Sequence, residues 1–424
     1  MTAIVLATLH GGLVANPLSL DELFRIAEEQ SEELRVAYTA INSASEERKA
    51  AQLACTPQLD IALSVGYLGN GQLGERDFTH WQTIENPHFM NNFSVKASQV
   101  IYSGGALTSA IRLSKIGQEM AELNLQQHRQ EIRLLIAGQY LDICRAENQL
   151  NVIRENIALV DTLILHTRAK AAQGTVLETD IMRHELHREQ LLLTQRQITD
   201  AIRVLRYQLS TTLHTDLSQT NFHAIDSVNI LTSLEEWQEH AQADNIAIAQ
   251  SAKSVSISEQ QVRLQQSQLI PKIALVAENH FDGPITIDVP VIDKNFNYWF
   301  VGIGVQYALS SLWQKTKTVK KARFDLQQSR EQQALVAENI HKAVQATYTQ
   351  LMTSKATLQM REKSQELAIA HYDVTYNRYQ NGLCLLTDML DAVSSRLDAE
   401  TALVNTKIDI LYNYYQLKYL ISSL

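Results

Sequence analysis

Apolar positions along this 424-residue chain follow two different periods, and the periods change in a fixed order. Ile132, Ile136, Gln139, Ile143, Ala146, Leu150, Ile153, Ile157, Val160, Ile164, Thr167 and Ala171 recur in steps of four and three. That 3.5-residue spacing is the seam of a coiled coil, held here for about five heptads. A return stretch answers with Leu177, Ile181, His184, Leu191, Ile198, Ile202, Leu205 and Leu209. A later run repeats the seam less cleanly through Val336, Ile340, Ala343, Thr347, Leu351, Ser354 and Leu358.

Four segments between the helical runs have a period of two. Residues 57–68 set Leu59, Ile61, Leu63, Val65 and Tyr67 against Gln58, Asp60, Ala62, Ser64 and Gly66. Residues 92–102 alternate Phe93, Val95 and Ala97 with Ser94, Lys96 and Ser98. Residues 271–281 and 298–309 form the second pair, the last with Trp299, Val301, Ile303, Val305 and Tyr307 on one side. Alternation over about ten residues predicts strands, of a length that also fits a tilted membrane-spanning strand.

The order of these elements occurs twice at an offset of about 208 residues. Pro57, Phe93, Gly174 and Asp180 in one half correspond to Pro271, Phe300, Gly382 and Asp388 in the other. The expected plan is two copies of helix–strand–strand–long helix–turn–helix, over 17–233 and 234–424 after a 1–16 segment. The first helical hairpin is placed at about 103–212 with its tip at Gly174, the second at about 310–424 with its tip at Gly382. No Pro occurs between Pro87 and Pro271, and no Gly between Gly174 and Gly283. Since Pro costs about 3 kcal/mol inside a helix, that silence permits a single helix of roughly 100 Å, and an elongated molecule.

The strands admit two readings. A soluble sheet could cap a helical bundle, or the strands could lie in a membrane, where Tyr67, Trp81, Phe89, Phe93, Phe281, Tyr298, Trp299 and Phe300 would form an interfacial girdle. Four strands cannot close a barrel, which needs about eight, and an open edge in lipid leaves backbone groups unpaired. In a membrane, several chains must therefore pool their strands, and a trimer would supply twelve.

Composition narrows the function. A net charge of −9 disfavours a nucleic-acid partner. No stretch has the 18 uninterrupted apolar residues of a transmembrane helix. Ile4 to Ala15 is apolar and ends in small residues, like a signal peptide lacking its basic start, so mature protein is expected to begin near Asn16. Cys55, Cys144 and Cys384 are too few and too scattered for a disulfide framework or a metal cluster, and Cys144 reads as buried packing.

Several short motifs add a family resemblance. They are Pro17-Leu-Ser-Leu-Asp-Glu-Leu, Tyr102-Ser-Gly-Gly-Ala-Leu, Gln173-Gly-Thr-Val-Leu-Glu-Thr-Asp180 and Tyr379-Gln-Asn-Gly-Leu-Cys-Leu-Leu-Thr-Asp-Met-Leu-Asp391. In this order the chain resembles the TolC-type outer membrane efflux protein family from Pro17 to Leu424. The resemblance implies a mainly α fold with a transmembrane β part: a homotrimer whose twelve-stranded barrel sits in outer-membrane lipid and whose helical tunnel crosses the periplasm. It implies partners, namely a periplasmic adaptor (membrane fusion) protein and an inner-membrane pump of RND or ABC type. The function would be a passive exit duct for tripartite efflux or type I secretion. The alternative is a soluble or peripheral coiled-coil scaffold or adaptor without a pore.

By the same resemblance, Asp388 and Asp391 fall where acidic residues line the periplasmic entrance, and Tyr379 where a residue tethers the tip closed. Cys384 departs from the family, standing where a well-known member has a basic residue that restrains the closed state. Gly174, Gly382 and Asp180 would shape the tips that meet the adaptor. Read from the helix alone, Asp388, Asp391 and above all Asp180 are helix-start residues favoured by the positive dipole end.

Other chemistry is not expected. His184 and His187, with Glu185 and Glu189 beside them, read as a solvated helix face with no second cluster to complete a metal site. Gly69, Gly71 and Gly74 lack a phosphate-binding fingerprint and read as a mobile extracellular loop. Neither catalysis, nor a cofactor, nor a bound metal is predicted.

Overall fold

The computed structural model describes residues 18–218, 220, 222 and 232–424, so the segment read as a leader lies outside the described residues. The elements are α1 (Leu20–Gln30), α2 (Glu32–Leu53), β1 (Gln58–Tyr67), β2 (Gly71–Leu73), β3 (Gln82–Ile84), β4 (Phe89–Tyr102), α3 (Ala106–Ala172) and α4 (Glu178–Leu213). They continue as α5 (Leu234–Asp244), α6 (Ile246–Ser267), β5 (Lys272–Gly283), β6 (Phe296–Gln306), α7 (Ser311–Gln380) and α8 (Leu386–Leu420). The four long strands and the long helices stand within a few residues of their expected places. Two features differ. The Gly-rich loop carries a small antiparallel ladder, β2 with β3. The single helix expected before each strand pair is two helices.

Local chemistry explains the second difference. Ser19 opens α1 and Ser233 opens α5, each exchanging bonds with a Glu three residues on: Ser19 with Glu22 and Ser233 with Glu236. These are capping boxes, which satisfy two orphan donors at once. Both helices then break at a buried polar residue, Ser31 and Asn245, with extended backbone. Ser31 Oγ accepts from Leu34 N (3.4 Å) and Asn245 Oδ1 from Ile248 N (3.2 Å), so each caps the helix that follows.

The chain divides into two compact units. One comprises the described residues of Met1–Tyr38, Asn124–Ala249 and Leu335–Leu424; the other comprises Thr39–Leu123 and Gln250–Ala334. In the first unit the α3 seam is inside: Ile136, Ile143, Val160 and Thr167 are fully buried. Two apolar clusters of that unit lie among the described residues. One joins Ile153, Val160, Leu163, Leu191, Tyr372, Tyr379, Met389 and Val393; the other joins Trp237, Val344, Leu351, Ile410 and Leu417. Cys144 of α3 is buried, and Cys55, Cys144 and Cys384 are all free thiols.

The second unit carries a four-stranded antiparallel sheet in the order β1-β4-β5-β6. Its register makes two unlike faces. One row reads Leu59, Ala97, Ala277 and Val301 across the four strands, with Gln99, Leu275 and Ile303 on the same face. This apolar face is open, with Ile61 73% and Ile303 69% exposed. On the other face, Asp60, Lys96, Glu278 and Phe300 stand in one row, and Lys96 Nζ is 2.9 Å from Glu278. His280 lies next to Glu278 (3.2 Å) and stacks on Tyr298 at 5.0 Å. Tyr67, Phe89, Phe93, Phe281 and Trp299 share the apolar face at one end of the sheet. Tyr298 and Phe300, expected in the same girdle, turn to the polar face instead, because each neighbours Trp299 in sequence and side chains alternate. Among the described residues, no helix is long and apolar enough to cross a membrane.

Candidate functional site

The two hairpin tips of the first unit hold the residues expected at the entrance, Tyr379, Cys384, Asp388 and Asp391, together with Gly174, Gly382 and Asp180. Both turns close in the same way. Gly174 takes φ +74° and Gly382 φ +69°, a region open to Gly without steric cost. Gly174 N donates to Ala171 O (2.8 Å) and Thr175 N to Lys170 O (3.1 Å). Gly382 N donates to Tyr379 O (3.1 Å) and Leu383 N to Arg378 O (2.8 Å). This is a Schellman motif in both cases, satisfying the carbonyls that end a helix. Extended N-cap residues, Leu177 and Leu385, then start α4 and α8. Asp180 and Asp388 each fall at the third helical position, and Asp388 Oδ2 accepts from Leu385 N at 3.1 Å. Asp388 thus caps its own helix, and Asp391 is exposed one turn on, on the same side.

Tyr379 is buried and joins three helices. Its hydroxyl lies 3.2 Å from Thr167 Oγ1 of α3 and 3.5 Å from His184 Nε2 of α4. Burial lifts its phenol above the ordinary value. Lys170 of α3 donates to the last carbonyls of α7, Tyr379 O at 2.8 Å and Gln380 O at 2.6 Å, and covers the Tyr379 ring at 5.3 Å. Positive charge at a helix C-terminus is favourable on both counts. Cys384 turns inward: its Sγ is 3.5 Å from Thr375 O, against the apolar cluster.

His184 corrects the solvated-face reading. It is fully buried, the seam position of α4, with its ring edge-on to Tyr379 at 6.0 Å. Burial depresses its pKa to about 4; His187 adds to this and Asp180 opposes it. His187 is half-buried and likewise lowered by burial. The His184 position in the 3.5-residue seam carried the correct signal, and the neighbouring charges misled. Lys170 was missed outright, because its partners are main-chain carbonyls 209 and 210 residues away. No sequence spacing announces such a contact.

The outer membrane efflux protein family profile matches residues 23–207 and 237–422. Outer membrane protein TolC of Vibrio cholerae serotype O1 is 20% identical over 426 residues, spanning 99% of this chain and 93% of that protein. Among solved structures, the outer-membrane channel OprN superposes with a TM-score of 0.80 at 16% identity, over 96% of this chain and 90% of that one. Outer membrane protein VceC of Vibrio cholerae gives 0.80 at 16% identity, over 95% and 96%.

Proposed function

The chain belongs to the outer membrane efflux protein family, and we propose that three copies of it close one barrel around a shared lumen. It is an outer-membrane exit duct of an efflux system, resident in a Gram-negative outer membrane with its helical part in the periplasm. The observation that carries the trimer is the sheet. Its edges, β1 and β6, are open, and its apolar face stands exposed. Lipid would satisfy that face, but only a closed barrel satisfies the edges. Two copies would give eight strands, an interior that side chains fill; three give twelve and leave a lumen. The Asp60–Lys96–Glu278 face then lines water.

The helices support the same assembly. Met360, Leu367 and Val374 of α7 are exposed at seven-residue intervals, as are Leu186 and Leu193 of α4. Seven is the repeat of a coiled-coil seam, and a neighbouring copy's helices would cover these rows. The stretches 17–233 and 234–424 are two repeats of one plan. The paired Schellman turns, paired capping boxes and paired breaks at Ser31 and Asn245 support that reading.

At the tips, Asp388 and Asp391 line the periplasmic entrance as rings of carboxylates, and Tyr379 tethers the tip. With Cys384 where a well-known member of the family has a basic residue, Lys170 is the cation that restrains the turn. Leu177, Leu383 and Leu385 are exposed around Gly174, Gly382 and Asp180, and such leucines suit docking of a periplasmic adaptor. An RND or ABC pump would select the cargo, for efflux or for type I secretion, and the duct would be permissive. Size-exclusion chromatography with light scattering in detergent tests the assembly. A heat-modifiable species of three chain masses is expected. A monodisperse monomer in detergent-free buffer, with helicity intact, would overturn it.

A further inference from the structure

Glu33 lies in the first turn of α2, and His128 and Glu131 lie one turn apart on α3, all three within the first unit. His128 Nδ1 is 2.9 Å from Glu33 Oε1 and 3.5 Å from Glu131 Oε2. The three donor atoms all fall within 4.8 Å of one another. Donors on a tetrahedral Zn²⁺, at bond lengths of about 2.0–2.2 Å, stand roughly 3.3–3.5 Å apart. The two His128–carboxylate separations, 2.9 and 3.5 Å, already lie near those dimensions.

Its internal chemistry is unsatisfied. The Nδ1 atom is shut off from solvent, yet it makes no hydrogen bond, because neither carboxylate lies in line with a ring proton. Nδ1 thus stands within ionic reach of two carboxylate oxygens without a hydrogen bond to either, and a cation among the three would give each of them a partner. One of the carboxylates is also pre-aimed. Glu131 Oε1 accepts from Gln127 Nε2 (2.8 Å), and the same amide reaches Tyr419 Oη (2.9 Å). That leaves Oε2 facing His128. Outer partners of this kind orient metal ligands and fix their basicity.

We infer that Glu33, His128 and Glu131 form a site for a divalent first-row transition ion of the Zn²⁺ class, with a fourth position open to water. One imidazole and two carboxylates make a mixed nitrogen–oxygen set, which suits Zn²⁺ and its neighbours better than Mg²⁺ or Ca²⁺. Bound there, the ion ties the start of α2 to α3. The sequence-level search for ligands considered His184 and His187, and missed this site because Glu33 is some 95 residues from its partners.

The probe is ZnCl₂ titrated into the full-length protein in detergent, affinity tag removed, followed by calorimetry and by competition with a chromogenic chelator. One ion per chain is expected, unaffected by millimolar Mg²⁺. Glu33→Gln and His128→Gln should each weaken it at least tenfold, and Gln127→Leu about tenfold through the outer contact. His240→Gln, which alters an exposed His240–Asp244 pair elsewhere, should change nothing. Circular dichroism checks that each variant keeps its helicity. Zn²⁺ uptake that is absent below about 100 µM, that survives both ligand substitutions, or that Mg²⁺ displaces would overturn the assignment.

Discussion

Lys170 Nζ sits 2.8 Å from the main-chain oxygen of Tyr379, so an ammonium on α3 closes the end of α7. The same amine reaches Gln380 O, and the Tyr379 side chain returns the contact through Thr167. A hydrogen bond to a charged group contributes about 1.5–3 kcal/mol, and losing it here takes the lysine donor from Gln380 O and leaves Tyr379 O with Gly382 N alone. Lys170→Met should therefore loosen the tip while leaving the packed seam intact. Amide exchange at residues 376–384 should accelerate, and open-channel occupancy in planar bilayers should rise. Exchange and conductance equal to wild type would remove Lys170 from the restraint.

His184 gives the tip a pH dependence whose sign is fixed by burial. Its pKa falls from an ordinary 6.5 to about 4, so the unfolded tip binds a proton that the packed tip refuses. Stability is thus complete above pH 6.5, declines as pH falls toward 4, and levels off below. The full loss is on the order of 3 kcal/mol. His187, half-buried beside it, acts in the same direction; Asp180 opposes it. Amide exchange in the α3–α4 tip should accelerate between pH 6.5 and 4. His184→Leu should flatten most of that response, and a profile unchanged by the substitution would assign the sensitivity elsewhere.

Much of this architecture could be read in advance, for identifiable reasons. A two-residue alternation marks β1, β4, β5 and β6 because one face meets apolar surroundings and the other polar ones. The turn positions were legible to the residue, since φ near +70° at positions 174 and 382 selects Gly. Shorter-range signals failed. The breaks at Ser31 and Asn245 use cap chemistry with no Gly or Pro to announce them. Strands β2 and β3, three residues each, are too short for an alternation to show. At the tip, the turns at Gly174 and Gly382 were legible, whereas Lys170 works through backbone oxygens and His184 was masked by the charges around it.

The two faces of the sheet make opposite demands on a new charge. Val301 stands in the apolar row with Leu59, Ala97 and Ala277; Ala62 stands beside Ser94 on the polar face. A Lys on the lipid face of a barrel costs about 2–4 kcal/mol near the midplane, but little toward a wet lumen. Val301→Lys should sharply reduce the yield of heat-modifiable oligomer, whereas Ala62→Lys should leave it near wild type. Equal tolerance at both sites would contradict the assignment of faces.

Asp388 and Asp391 carry the sharpest test of the entrance. They lie three apart on one side of α8, and both are exposed. Three copies with converging tips would present up to six carboxylates to a narrow opening. Such a ring attracts multivalent cations, and its protons titrate as a group. Asn at both positions removes the charge but keeps an amide oxygen to accept from Leu385 N, so the start of α8 should persist. Exposed charges contribute little to stability, and oligomer yield should hold. Cation selectivity in planar bilayers should fall, and block by a trivalent hexammine cation should weaken by roughly tenfold or more, since each lost ion contact of about 1.4 kcal/mol is a factor of ten. A well-folded Asp388→Asn, Asp391→Asn protein with unaltered selectivity and block would take both residues off the entrance and leave Asp388 with the role its position already gives it, that of capping the start of α8.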